Sequence, residues 1–229
     1  MSIGTGKTEL ENGIKLFRNE NYQEAIDSLE KTFENKNDIE SGYHLALAYA
    51  QIQNYDKTLE TFDKIMRRLD NPLRIMQAHI IVGYIYAIKE MYDLAEFELL
   101  DALASGIENT QIHSVLGYIY YKKNNTRKAI DSLRKAVAMD SQSANARNSL
   151  GFILADSGIN IEEGISEIKK ALNMDPKNPA YLDSLGWAFF KKNDIQNAKE
   201  FLTKAFEIAP TNKDIKEHLI KLDQFGYKK

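Results

Sequence analysis

Leu116-Gly117-Tyr118-Ile119-Tyr120 recurs twice downstream, as Leu150-Gly151-Phe152-Ile153-Leu154 and as Leu185-Gly186-Trp187-Ala188-Phe189. The two steps are 34 and 35 residues. Each copy is followed by a second signature: Ala129, Leu133 and Ala136, then Gly164, Ile168 and Ala171, then Ala198, Leu202 and Ala205. Weaker copies lie upstream. Val82-Gly83 runs with Tyr86, Ala95, Leu99 and Ala102, Leu45-Ala46 with Tyr49, Thr58, Phe62 and Ile65, and Gly13 with Leu16, Ala25, Leu29 and Thr32. Self-similarity at such a period marks a chain of stacked supersecondary units.

Each unit reads as two amphipathic helices, because its apolar and small residues recur at spacings of three, four and seven. Polar breaks such as Lys122-Lys123-Asn124-Asn125 and Lys191-Lys192-Asn193-Asp194 separate the pair. Gly117, Gly151 and Gly186, with Ala129 and Ala198, are expected to let paired helices approach closely. A larger side chain there overpacks the contact, at about 1–3 kcal/mol. One pair cannot bury its apolar face alone, so stability comes from stacking on neighbours.

The pattern resembles the tetratricopeptide repeat, with its L-G-x-x-Y, A-x-x-x-F and closing Pro. The resemblance covers nearly the whole chain as six repeats: 6–38, 39–75, 76–109, 110–143, 144–178 and 179–212. It implies an all-α fold, a right-handed α-solenoid of six helix-turn-helix repeats forming one domain over 1–229. Residues 213–229 look like the family's capping helix, with Ile215, Leu219 and Leu222 on one face and Thr211 as N-cap. Some features depart from the consensus. The Trp expected three residues before the Leu is absent, and the closing Pro survives only as Pro176 and Pro210. Asn12 replaces an apolar residue. Three extra residues fall near Leu69-Asp70-Asn71-Pro72 and one near Ile159-Asn160.

Composition narrows the function. The 229 residues carry 30 Lys or Arg against 33 Asp or Glu, a formal net charge of −3, and no Cys. Zero Cys removes disulfides, thiolate metal sites and Cys nucleophiles. A balanced charge lacks the basic stripe of a nucleic-acid binder, so no nucleic acid is expected. No stretch reaches the length of a membrane helix, so no membrane insertion is expected. Met1 to Glu11 lacks the apolar core of a secretory signal, and a cytoplasmic location is the expectation.

In this family the first helix of each repeat lines an inner groove that recognises partners. By that register the groove-facing residues include Tyr43, Tyr84, Ile88, Tyr118, Tyr121, Phe152, Trp187 and Phe190, together with Ser114, Asn148, Asp156 and Asp183. The eight apolar side chains are the expected contact residues for an apolar or amphipathic segment of another protein. The family's clamp for a chaperone's C-terminal carboxylate is missing, since repeats one to three offer Leu10, Ile14, His44, Gln77 and Ile81 where Lys, Asn and Arg belong.

Other constellations resemble chemistry without completing it. Gly4-Thr5-Gly6-Lys7-Thr8 looks like the end of a phosphate loop, but Met1 stands at the required first Gly and no strand precedes it. His44, His79, His113 and His218 supply no third ligand beside any pair, so no metal is expected. Glu162-Glu163 and Asp38 with Glu40 suit helix starts. Arg67, Arg68 and Arg74 form a basic cluster explained by a solvated helix end, or by an acidic partner. With no organised nucleophile, metal set or cofactor loop, the chain is expected not to be an enzyme. The reading is a non-catalytic interaction scaffold. Its alternative is a self-associating structural component, and the Ile- and Asn-rich usage points to a bacterial source.

Overall fold

The computed structural model describes residues 3–104, 106 and 108–226. Among them every regular element is helical, and contacts divide the chain into two compact units, Met1–Ile107 and Glu108–Lys229. Unit 1 holds α1 (Ile3–Arg18), α2 (Tyr22–Lys36), α3 (Ile39–Gln51), α4 (Tyr55–Ile65), α5 (Pro72–Ile88) and α6 (Tyr92–Ala104). Unit 2 holds α7 (Thr110–Lys122), α8 (Thr126–Met139), α9 (Ala144–Asp156), α10 (Ile161–Met174), α11 (Pro179–Lys191), α12 (Ile195–Ile208) and α13 (Lys213–Gly226).

The sequence starts these helices with a recurring device. Asn54, Asn125, Asn160 and Asp194 cap second helices, each side chain accepting from the backbone N–H three residues on. Asp38, Asn71 and Asn109 do the same for first helices, and Asn178 accepts from Ala180 N two residues on. Such caps satisfy donors that a helix start leaves orphaned. Just before the second-helix caps the backbone turns left-handed, at Glu20, Gln53, Glu90, Asn124, Gly158 and Asn193. The next N–H then closes on a carbonyl five residues back, as from Asn125 to Tyr120 at 2.8 Å and Asn54 to Tyr49 at 2.9 Å. The extra residue of repeat five, Ile159, sits between Gly158 and the cap Asn160, lengthening this turn by one.

The pairs close over very small residues. A Cβ on Gly117 would sit 2.5 Å from Leu133 Cγ, and one on Gly151 would sit 2.5 Å from the carbonyl oxygen of Gly164. Phe62, Ile65 and Leu29 are fully buried in unit 1, as are Leu133, Ile168, Leu185 and Leu202 in unit 2.

The three extra residues near Leu69-Asp70-Asn71-Pro72 lie between two helical stretches. Met66–Arg68 forms a 3-10 turn and Pro72 opens α5, so part of the insertion becomes an extra helical turn of repeat three. The cap of α13 is Asn212 rather than Thr211. Its side-chain oxygen accepts from Asp214 N at 2.9 Å and Ile215 N at 3.2 Å, because Thr211 stands one residue too early to reach them. Ile215 and Leu222 are buried under α13 beside Leu182, Ala205 and Leu202.

Candidate functional site

The first helices of unit 2, with α13 beside them, line a cleft of about 470 Å³. Tyr118, Tyr121 and Lys122 come from α7, Asn148, Ser149 and Phe152 from α9, Asp183 and Ser184 from α11, and Asp214, Glu217 and His218 from α13. Tyr118 is exposed, with the Lys122 ammonium 5.6 Å from its ring centre. Tyr121 packs edge-on against Phe152, ring centres 6.0 Å apart, and both are half-buried.

Asp156 holds this wall together. It accepts the Tyr121 hydroxyl at 2.6 Å, the Trp187 indole N–H at 2.8 Å and the Lys191 ammonium at 3.4 Å, tying α7, α9 and α11. Burial pushes its carboxyl up, but the hydrogen bonds from Tyr121 and Trp187 and the Lys191 charge outweigh it, leaving the pKa below the ordinary value. The Tyr121 hydroxyl is pushed well above its ordinary range by burial and by this bond. A second carboxylate, Asp183, is buried and bonded through both oxygens to His218 Nδ1 at 2.9 Å. The His218 ring stacks on Trp187, centres 4.2 Å apart and planes 16° from parallel.

The side-chain oxygen of Asn148 is buried in the cleft wall and has no hydrogen-bond partner among the described residues. An unmade hydrogen bond of this kind costs about 1–3 kcal/mol.

The eight expected contact residues do not share one environment. Tyr84 and Ile88, on α5 of unit 1, are exposed, as is Tyr118 in unit 2. Tyr121, Phe152 and Phe190 are half-buried. Tyr43 is only 3% exposed and Trp187 only 7%, so the expectation of an open ring is corrected at both. Tyr43 lies edge-on to Phe62 under the Arg74 guanidinium, and its hydroxyl donates to Gln77 Oε1 at 2.6 Å. Trp187 is covered by His218, Phe190 and Lys221. Asp156, Asp183 and His218 were not among the expected contacts. The signal for Asp156 was a carboxylate 35 residues after Tyr121 and 35 before Lys191, the spacing of adjacent repeats.

Each of the four His meets a carboxylate: His44 with Glu40, His79 with Glu98, His113 with Glu108 and His218 with Asp183. Arg74 grips Glu40 through both guanidinium ends, and Arg68 donates to the Asn37 carbonyl at 2.8 Å. Arg68 and Arg74 of that basic cluster are therefore engaged within unit 1. Gly4 to Thr8 lie inside α1 rather than in a loop.

Models of the tetratricopeptide repeat match residues 40–69 and 180–212, and a TPR repeat model matches residues 117–158. This is a tetratricopeptide-repeat protein. The TPR repeat-containing protein PA4667 of Pseudomonas aeruginosa is 32% identical over 80 residues, which span 35% of this TPR chain but 13% of PA4667. Among solved structures, YrrB, described as a TPR protein with an unusual peptide-binding site, is 25% identical. Its match covers 82% of this chain and 96% of YrrB at a TM-score of 0.60. PilW, described as a type IV pilus biogenesis factor, shares the TPR fold at a TM-score of 0.75 and 15% identity, over 95% of this chain and all of PilW. Among the described residues, no helix is long and apolar enough to cross a membrane.

Proposed function

We propose that this TPR protein is a non-catalytic interaction scaffold, and that the cleft of unit 2 holds a segment of a partner protein in extended form. The observation that carries the reading is the unpartnered Asn148 oxygen in the same cleft as the exposed Tyr118 ring. A backbone N–H of an extended segment matches that oxygen, and its addition removes a desolvation cost already present. Tyr118, with Phe152 and Tyr121 beside it, takes an apolar side chain of the segment, a contact contributing about 1.5–3 kcal/mol when fully buried. Asp214 and Glu217 at the rim suit a basic residue on the same segment. Trp187 and Asp156 serve as framework, holding the wall rigid and so lowering the ordering cost of binding. In unit 1, the exposed Tyr84 and Ile88 offer a contact of their own. The peptide-binding site that gives the YrrB structure its description supports a peptide ligand for a chain of this kind.

The test begins with a random-sequence peptide library displayed against the intact chain. Selected peptides are then titrated by calorimetry against wild type, Tyr118→Ala and Asn148→Ala. Both variants should weaken binding without lowering the melting temperature. Peptides bound equally by all three place the site elsewhere.

A further inference from the structure

At three register positions on the exposed side of the second helices, five repeats carry polar residues and one carries apolar ones. Phe97 stands at the register position occupied by Asp27, Glu60, Asp131, Ser166 and Glu200 in the other repeats. Leu94 stands where they carry Glu24, Lys57, Lys128, Glu163 and Asn197, and Leu100 where they carry Glu30, Asp63, Arg134, Lys169 and Thr203. Met91 replaces the Asn or Asp that caps most of the other second helices. All four apolar residues are exposed: Phe97 by 58%, Met91 and Leu100 by 45%, Leu94 by 44%. The ridge is not a by-product of the core, because Ala95, Leu99 and Ala102 already bury the opposite face of α6.

Leu94, Phe97 and Leu100 follow one another at spacings of three, so they form a row slanting across the helix. Asp93 lies four residues before Phe97 and Asp101 four after it, and both are exposed. Helix α6 also carries Glu96 and Glu98 and has no Lys or Arg, whereas each of the other five second helices has at least two. Glu98 is turned to His79 at 2.8 Å. The face is thus an apolar ridge set in negative charge.

We infer that the outer face of α6 docks a basic amphipathic helix of a partner protein, one whose apolar stripe covers Leu94, Phe97 and Leu100 and whose Lys or Arg residues reach Asp101 at the edge of that stripe. Charge complementarity selects this occupant. A second copy laid face to face would oppose acid with acid, and an anionic membrane surface would repel the helix. Helix-on-helix docking by anchors at spacings of three and four is a common mode of recognition. The inference does not depend on the cleft of unit 2, since it uses another face of another unit.

The probe is a fluorescein-labelled synthetic peptide of Leu and Lys, patterned as an amphipathic helix and titrated by anisotropy against the intact chain. The decisive variant is Leu94→Asn with Phe97→Ser and Leu100→Thr. These residues already stand at the same positions as Asn197, Ser166 and Thr203, and they leave the net charge unaltered. The expected result is binding by wild type, at least roughly tenfold weaker binding by the triple variant, and equal melting temperatures. Asp101→Asn should weaken binding and flatten its salt dependence. Equal binding by wild type and the triple variant overturns the inference, as does no binding by wild type. Sedimentation showing a dimer abolished by the triple variant would assign the face to a second copy instead. Capture on phosphatidylcholine–phosphatidylserine vesicles, lost in that variant, would assign it to lipid.

Discussion

The Trp187 indole N–H points at Asp156 Oδ1 from 2.8 Å, so the single tryptophan of the chain is a structural strut between α9 and α11. The same carboxylate takes the Tyr121 hydroxyl, and the three side chains fix the geometry of the cleft wall. Asp156→Ala leaves a buried N–H and a phenol without their acceptor. We expect a loss of about 2–3 kcal/mol. Urea unfolding followed by tryptophan emission checks it, with a red-shifted native spectrum as a second sign. An unchanged midpoint would show that the bonds contribute nothing net.

The lowered Asp156 pKa makes unit 2 acid-sensitive in a defined direction. The unfolded carboxyl titrates near its ordinary value of 3.8, and the folded one titrates below it. The stabilisation is therefore complete above the unfolded value and disappears as pH falls through the folded one. Asp156→Asn, having no proton to gain, should lose less stability than wild type between about pH 5 and pH 2. Thermal melts of both proteins across that range measure the difference. Parallel curves would contradict the assignment.

Two of the expected contact rings, Trp187 and Tyr118, should respond very differently to truncation. Trp187→Ala removes a ring that is 7% exposed and should cost about 3–5 kcal/mol. Tyr118→Ala removes an exposed ring and should stay within about 0.5 kcal/mol of wild type. Denaturant midpoints distinguish them. A variant that changes Tyr84, Tyr118 and Trp187 together would mix lost binding with lost structure.

Helix approach supplies a further prediction. A Cβ on Gly186 would meet Leu202 Cγ at 2.7 Å and Leu202 N at 2.9 Å, and one on Gly151 would meet a backbone oxygen. Gly186→Leu and Gly151→Ala should each lower stability by about 1–3 kcal/mol. A melting temperature equal to wild type in either would put the helix pairing out of register.

Helix order and the small-residue contacts were legible because they recur, and the cap helix because Ile215, Leu219 and Leu222 share one face. Gly117, Gly151 and Gly186 advertise one packing solution three times over. The fate of individual rings was not legible. Tyr43 and Tyr84 both read as inward-facing, yet Tyr43 lies 34 residues before Gln77, close enough in the stack for its hydroxyl to be captured, and Tyr84 stays exposed. Trp187 looked like an anchor because the pattern says nothing of His218, which reaches it from the cap helix outside the repeats. Asn148 was visible as an inward position, but whether its oxygen has a partner depends on coordinates, not spacing.

The central claim is that the Asn148 oxygen and the Tyr118 ring together receive a peptide. Titration calorimetry of a library-selected peptide against wild type and the Asn148→Ala, Tyr118→Ala double variant tests it most directly. The expected result is at least a roughly tenfold loss of affinity with no fall in melting temperature. Equal affinity for the two proteins would contradict it.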